Sequence, residues 1–64
     1  MKIQIDIRGP AGSGKSQVAN TIYNILDDYY SVRLIEEGRV QKSAIKEHGK
    51  LVIDIVTKQD SSVV

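Results

Sequence analysis

The chain has 64 residues, and its nine Lys and Arg against eight Asp and Glu give a formal net charge of +1. That length means one domain, expected to bury only about 60% of its unfolded surface, and that charge offers no basic surface from which to argue nucleic-acid binding. There is no cysteine, so disulfides and thiolate metal sites are excluded, and the single His48 cannot build a metal site alone. Oligomerisation or a bound ligand is the expected extra source of stability.

Residues 1–60 read as a single α/β domain and residues 61–64 as a frayed tail. No apolar leader precedes the first strand and no long apolar run occurs. A cytoplasmic protein without a membrane partner is therefore expected.

Met1 to Arg8 alternates, with Ile3, Ile5 and Ile7 on one face and Lys2, Gln4, Asp6 and Arg8 on the other. A strand with one face fit for burial predicts a two-layer arrangement, helices on one side only. The face carrying Gln4 and Asp6 is then either wet or covered by another subunit.

Directly after this strand comes Gly9-Pro10-Ala11-Gly12-Ser13-Gly14-Lys15-Ser16, which fits G-x-x-x-x-G-K-[ST] at every fixed position. The residues that follow have helical spacing, so the pattern sits between a strand and a helix, the context it requires. Inward-pointing backbone N–H groups, the positive end of a helix dipole and one ammonium can together hold a run of phosphate oxygens. Gly9, Gly12 and Gly14 allow close backbone approach, and Pro10 stiffens the turn.

With these residues in place the first half of the chain resembles the P-loop NTPase superfamily, its loop being most similar to those of small nucleotide and metabolite kinases. The resemblance implies a nucleotide-binding site over Gly9, Pro10, Ala11, Gly12, Ser13, Gly14, Lys15 and Ser16. It places Lys15 on the β- and γ-phosphates and the Ser16 hydroxyl on Mg²⁺. Ser13 adds a second hydroxyl near the phosphates.

A helix is predicted from about Gly14 to Tyr30, with Val18, Ile22, Ile25, Leu26 and Tyr29 as its core stripe. Asp27 and Asp28 fall in its last turn, where the dipole disfavours acids. Tyr23 and Tyr30 can stack on a base or simply cover apolar surface.

Ser31 to Glu37 reads as the second strand. If it runs parallel to the first, Glu36 and Glu37 lie at the sheet edge where the ligands of open α/β sheets bind. They are candidate catalytic acids, able to approach Mg²⁺ or an attacking water, or else members of a solvated turn.

Arg39 to His48 places Val40, Ala44 and His48 on one helical face, with Gly49 as a C-cap. A short crossover helix is expected here; a loop would instead permit an antiparallel hairpin. Arg39 is either surface cover or a phosphate contact reaching into a partner subunit.

Leu51 to Thr57 reads as the third strand. Leu51-Val52-Ile53-Asp54 is similar to the family's second signature, an apolar run ending in an Mg²⁺-directed Asp. That makes Asp54 a candidate metal and catalytic acid, although apolar residues continue beyond it. Asp60, Thr57 and Gln59 are further candidates near the strand end.

The fold expected from all this is a minimal P-loop α/β domain, β-α-β-α-β, with a three-stranded parallel sheet and helices on one face. The family's strand order makes the loop-bearing strand an exposed edge, which suggests a homodimer through Met1 to Arg8. The chain has no guanine-reading motif, arginine-rich lid or second substrate domain. The expected function is therefore binding of a nucleoside triphosphate, ATP first, with Mg²⁺, and weak or partner-dependent hydrolysis. The alternatives are a small kinase or NTPase completed by oligomerisation, and a non-enzymatic interaction protein that keeps the loop for folding or anion binding.

Overall fold

All eleven residues from Leu34 to Ala44 belong to, or join, two strands of a hairpin, and this decides the architecture. The computed structural model describes residues 1–46 and 51–59. Within them lie β1 (Lys2–Gly9), α1 (Lys15–Asp27), β2 (Ser31–Glu36), β3 (Arg39–Ala44) and β4 (Val52–Gln59). The strands form one four-stranded sheet in the order β1-β4-β2-β3. β4 pairs parallel with both β1 and β2, and β3 pairs antiparallel with β2.

The chain is thus α/β, with one helix and a mixed sheet in place of the expected three parallel strands and two helices. Residues 39–44 are strand because Glu37 and Gly38, at φ 52° and 78°, close a two-residue loop between paired Glu36 and Arg39. Positive φ at both central positions is the type I′ turn, whose twist matches an antiparallel pair. Every residue of β3 but Ala44 is exposed, so its alternation carried no burial signal, and the four-residue spacing of Val40 and Ala44 mimicked a helix. His48, Gly49, Asp60 and residues 61–64 lie outside the described residues.

β4 and β2 are the interior strands and hold the buried strand residues, as their central places demand. Ile53, Ile55 and Thr57 face α1, next to Val32, Leu34 and Glu36 of β2 and to Ile3, Ile5 and Ile7 of β1. Ala19, Tyr23, Val32, Leu34, Ile53 and Ile55 make the core, flanked by Ile5, Ile7, Ile22, Leu26, Ala44 and Leu51.

The helix is turned from the expected stripe. Ala19 and Tyr23 are buried, whereas Val18, Ile25 and Tyr29 are exposed. Ala19 lets the helix sit close to the sheet, and Tyr23 supplies the area of a ring. The Lys42 ammonium lies 5.7 Å from the centroid of that ring. Burial, then the negative charge of Asp27, pushes the Tyr23 phenol up from its usual range.

The acids at the helix end are answered by Lys46. Its ammonium donates to the carbonyls of Asp27 and Tyr30 and lies 3.8 Å from the Asp27 carboxylate. A cation from the segment after β3 thus meets the negative end of the dipole.

Candidate functional site

The carboxyl ends of three parallel strands and the amino end of α1 meet at one edge of the sheet. The loop from Gly9 to Gly14 makes the turn between them. Ser13 N–H donates to the Pro10 carbonyl at 3.2 Å, and Gly12 and Gly14 take φ of 79° and 86°. These angles are strained for any residue with a Cβ. At Gly9 the demand is space, since a Cβ there would come within 2.7 Å of the Ser13 hydroxyl oxygen.

Gly14 caps α1 without a side-chain hydrogen bond, and no acid stands in the first turn. The first backbone N–H groups of a helix have no partner within it. They leave the positive end of the dipole at the loop.

Beside this end is a cleft of about 480 Å³ lined by Lys15, Ser16, Glu36, Glu37, Arg39, Gln41 and Thr57. Each residue has a structural reason to be there. Lys15 and Ser16 open the helix. Thr57 is the last inward position of β4, buried, with Ile7 on one side and Glu36 on the other. Glu37 is in the hairpin turn and Arg39 follows it as the first residue of β3. Gln41 arrives through a register shift, as Ile35 pairs with Val40 and Leu34 with Lys42, leaving it without an opposite residue. Such an extra residue bends the strand and re-aims its side chain.

Electrostatically the cleft is mixed, with two cations and two carboxylates. One atom stands out, because Oε1 of Glu36 is buried and has no hydrogen-bond partner among the described residues. An unpaired buried carboxylate oxygen is costly unless something else satisfies it.

The sequence-predicted residues divide accordingly. Lys15, Ser16, Glu36 and Glu37 come together. Pro10, Ala11, Gly12, Ser13 and Gly14 are exposed in the loop before α1 and are not among the residues that line the cleft, and Gly9 ends β1. Arg39 joins the same cleft within one chain and needs no partner to reach it.

Asp54 does not join. It lies on the opposite sheet face, 1% exposed. Arg33 Nε and Nη2 each donate to it at 2.8 Å, and Lys2 Nζ is 3.0 Å away. Hydrogen bonds from Arg33 lead the causes that hold its carboxyl at about 2, against an opposing effect of burial. A carboxylate so engaged is a structural anchor. Gln41 was missed by sequence reading, since no local pattern announces this bulge. Tyr23 is in the core rather than at the cleft.

Among the described residues no group of three or more His, Asp or Glu converges on a point, and no helix is long and apolar enough to cross a membrane. No family model, curated protein or solved structure matches the chain.

Proposed function

We propose that this chain is a minimal P-loop protein that binds a nucleoside triphosphate, ATP in the first instance, together with Mg²⁺, and hydrolyses it slowly or only with a partner. The observation that carries this reading is the cleft shared by Lys15, Ser16 and Glu36, an acid with one buried carboxylate oxygen that has no hydrogen-bond partner among the described residues. Loop amides and the helix end suit the phosphate oxygens, and Lys15 adds a point charge. At the strand end beside the loop strand, where P-loop enzymes carry their Mg²⁺-directed Asp, this chain has Thr57. Glu36 stands beside it on β2.

The donor set fits a hard divalent cation that arrives with the nucleotide. Ser16 and Glu36 would hold it by oxygen, and the phosphates would supply the remaining ligands. When bound, Mg²⁺ neutralises charge on the phosphates. The chain's own part is to position the anion, to face it with Lys15 and Arg39, and to present Glu36 and Thr57 toward the metal or a water.

Turnover by the chain itself is the second reading, favoured by Arg39, a cation that lines the cleft within one chain. Against fast turnover stands an open, polar cleft with no lid among the described residues. Phosphoryl transfer depends on positioning and on exclusion of water.

The test is an NMR titration with ATP, GTP and inorganic phosphate, each with and without Mg²⁺. Saturable shifts at Gly12 to Ser16 and at Glu36 are expected with triphosphate, stronger with the metal. Lys15→Ala should lose the response while staying folded. A silent spectrum at millimolar triphosphate overturns the proposal, and release of phosphate measured in the same samples separates the two readings.

A further inference from the structure

β1 is an edge strand. Its ladder with β4 runs from Lys2 opposite Val52 to Gly9 opposite Gln59, and Val52 N–H donates to the Met1 carbonyl at 3.1 Å. Along a parallel strand the N–H and C=O of one residue point to the same side, and the side alternates. The groups of Ile3, Ile5 and Ile7 therefore turn toward β4. Those of Lys2, Gln4, Asp6 and Arg8 turn toward the open edge, a row of donors and acceptors eight residues long at most that no strand among the described residues pairs.

Exposed apolar surface gathers on the same side. On α1, Asn20 and Asp27 face β3 and the segment after it, because Lys42 donates to Asn20 at 2.9 Å and Lys46 pairs with Asp27. Ala19 and Tyr23 face the sheet. At about 3.6 residues per turn, Val18 and Ile25 lie about a quarter turn beyond Ala19, on the flank away from β3, and Tyr29 follows just past the helix end. That flank overlooks β1. Val18 is 51% exposed, Ile25 58% and Tyr29 73%, and Ile3 below them is 46% exposed.

We propose that a second copy of this chain occupies this edge, its β1 antiparallel to the first and centred on Gln4. A two-fold interface sets residue i opposite j and j opposite i, and charge then selects the register. Centred on Gln4, Lys2 stands opposite Asp6 of the second copy, Ile3 opposite Ile5, and Gln4 opposite itself. Centred on Ile5, Lys2 would meet Arg8; centred on Asp6, that carboxylate would meet its own copy. Like charges directly opposite destabilise a ladder, and opposite ones support it. Centring on Ile7 pairs Asp6 with Arg8 but leaves Ile3 uncovered and drives the glycine loops into the ladder.

In the Gln4 register, Lys2, Gln4 and Asp6 supply the new ladder bonds. The isoleucines of two strands join into one apolar floor, overlooked by the two exposed helix flanks. β1 ceases to be an edge. This interface does not rest on nucleotide binding, and it forms without ligand.

Sedimentation of the full chain without nucleotide should give a mass near twice 7.1 kDa. Lys15→Ala should behave alike, so failure of the nucleotide reading leaves this test intact. Asp6→Lys sets two cations opposite each other and should weaken the dimer at least tenfold. Gln4→Pro removes an outward N–H while sparing the ladder to β4, a substitution that edge strands tolerate. It should give a folded monomer by circular dichroism.

The chain has no native thiol, so single cysteines report the register. Opposed residues in such a ladder have Cα atoms about 5.5 Å apart, within disulfide reach. Gln4→Cys should therefore cross-link on mild oxidation, and Asp6→Cys, about four strand positions from its own copy, should not. A wild-type monomer at millimolar concentration overturns the proposal. So does cross-linking through Asp6→Cys in preference to Gln4→Cys.

Discussion

Two cross-strand pairs in the single ladder between β2 and β4 can be set side by side: Arg33 with Asp54, and Glu36 with Thr57. They stand three residues apart, so they point to opposite faces of the sheet. Each contains one acid, yet their conditions differ. Asp54 is enclosed and answered by a bidentate guanidinium and an ammonium. Glu36 opens on a cleft beside Lys15 and Ser16, with one oxygen unanswered. The lesson is that an acid's condition, more than its sequence context, separates an anchor from a site. Asp54 carried the partial likeness to a family signature, and Glu36 has the better environment for a ligand.

The largest expected effect is on the anchored side. Arg33→Met leaves the buried carboxylate with only Lys2, whose side chain is 58% exposed. Removing one partner of a buried pair strands the other charge, and a loss of about 3 kcal/mol in unfolding free energy is expected. The urea midpoint should fall accordingly. The folded fraction should keep its triphosphate-induced NMR shifts, because Arg33 faces away from the cleft. Loss of those shifts in folded protein would show the two faces to be one functional unit.

Acid probes the same anchor without mutation. The Asp54 carboxyl has a folded value of about 2 against an ordinary 3.8. A depressed value means that the native state favours the ionised form. Its stabilisation is complete above about pH 4 and is lost as the pH falls toward 2. The shift is worth about 2 kcal/mol at neutral pH. Stability measured from pH 5 to pH 2 should fall by that amount in the wild type and visibly less in Asp54→Asn, which starts lower. Parallel curves for the two proteins would contradict the anchor.

On the cleft side the sign reverses. Glu36→Met removes an unsatisfied buried acceptor and should raise the stability of the ligand-free chain by about 1 kcal/mol. The same change should abolish the Mg²⁺ dependence of triphosphate binding. A group that costs stability while serving a ligand behaves in this way, and a group that merely finishes a strand does not. Destabilisation together with unchanged Mg²⁺ dependence would return Glu36 to the status of an ordinary strand residue.

How far these two acids were legible in the sequence follows from the same contrast. The alternation of Ile3, Ile5 and Ile7, the glycine spacing from Gly9 to Ser16 and the apolar run around Ile53 are local patterns. They gave β1, the loop, α1, β2 and β4, whereas the edge position of β1 followed from the strand order that the family resemblance implies. Glu36 and Glu37 were placed at the loop edge by topology.

What failed depended on partners distant in sequence. The tie between Asp54 and Arg33 spans 21 residues, and no local pattern encodes it. The helix face was misjudged because Val18, Ile25 and Tyr29 outweigh Ala19 and Tyr23 in apolar bulk. A small residue in close contact and a ring under Lys42 carry no periodic signal of their own. β3 was hidden because an exposed edge strand has no buried face to alternate with, and because its turn lacks the usual Asn-Gly.

That turn gives the smallest and most local test. Glu37 is the only non-glycine residue at positive φ among the described residues. A side chain in this region costs roughly 1–2 kcal/mol, and Asn tolerates it better than Glu. Glu37→Asn should therefore raise stability by about 0.5 kcal/mol through the hairpin alone, read as a small rise in the urea midpoint. It also removes one of the two cleft carboxylates without touching the other. If Glu36 is the acid that serves the ligand, the variant should bind Mg²⁺ and triphosphate within about twofold of the wild type. A loss as large as that of Glu36→Met would mean that the turn acid shares the site, and that the division between structural and ligand-facing carboxylates runs between Asp54 and the pair rather than through it.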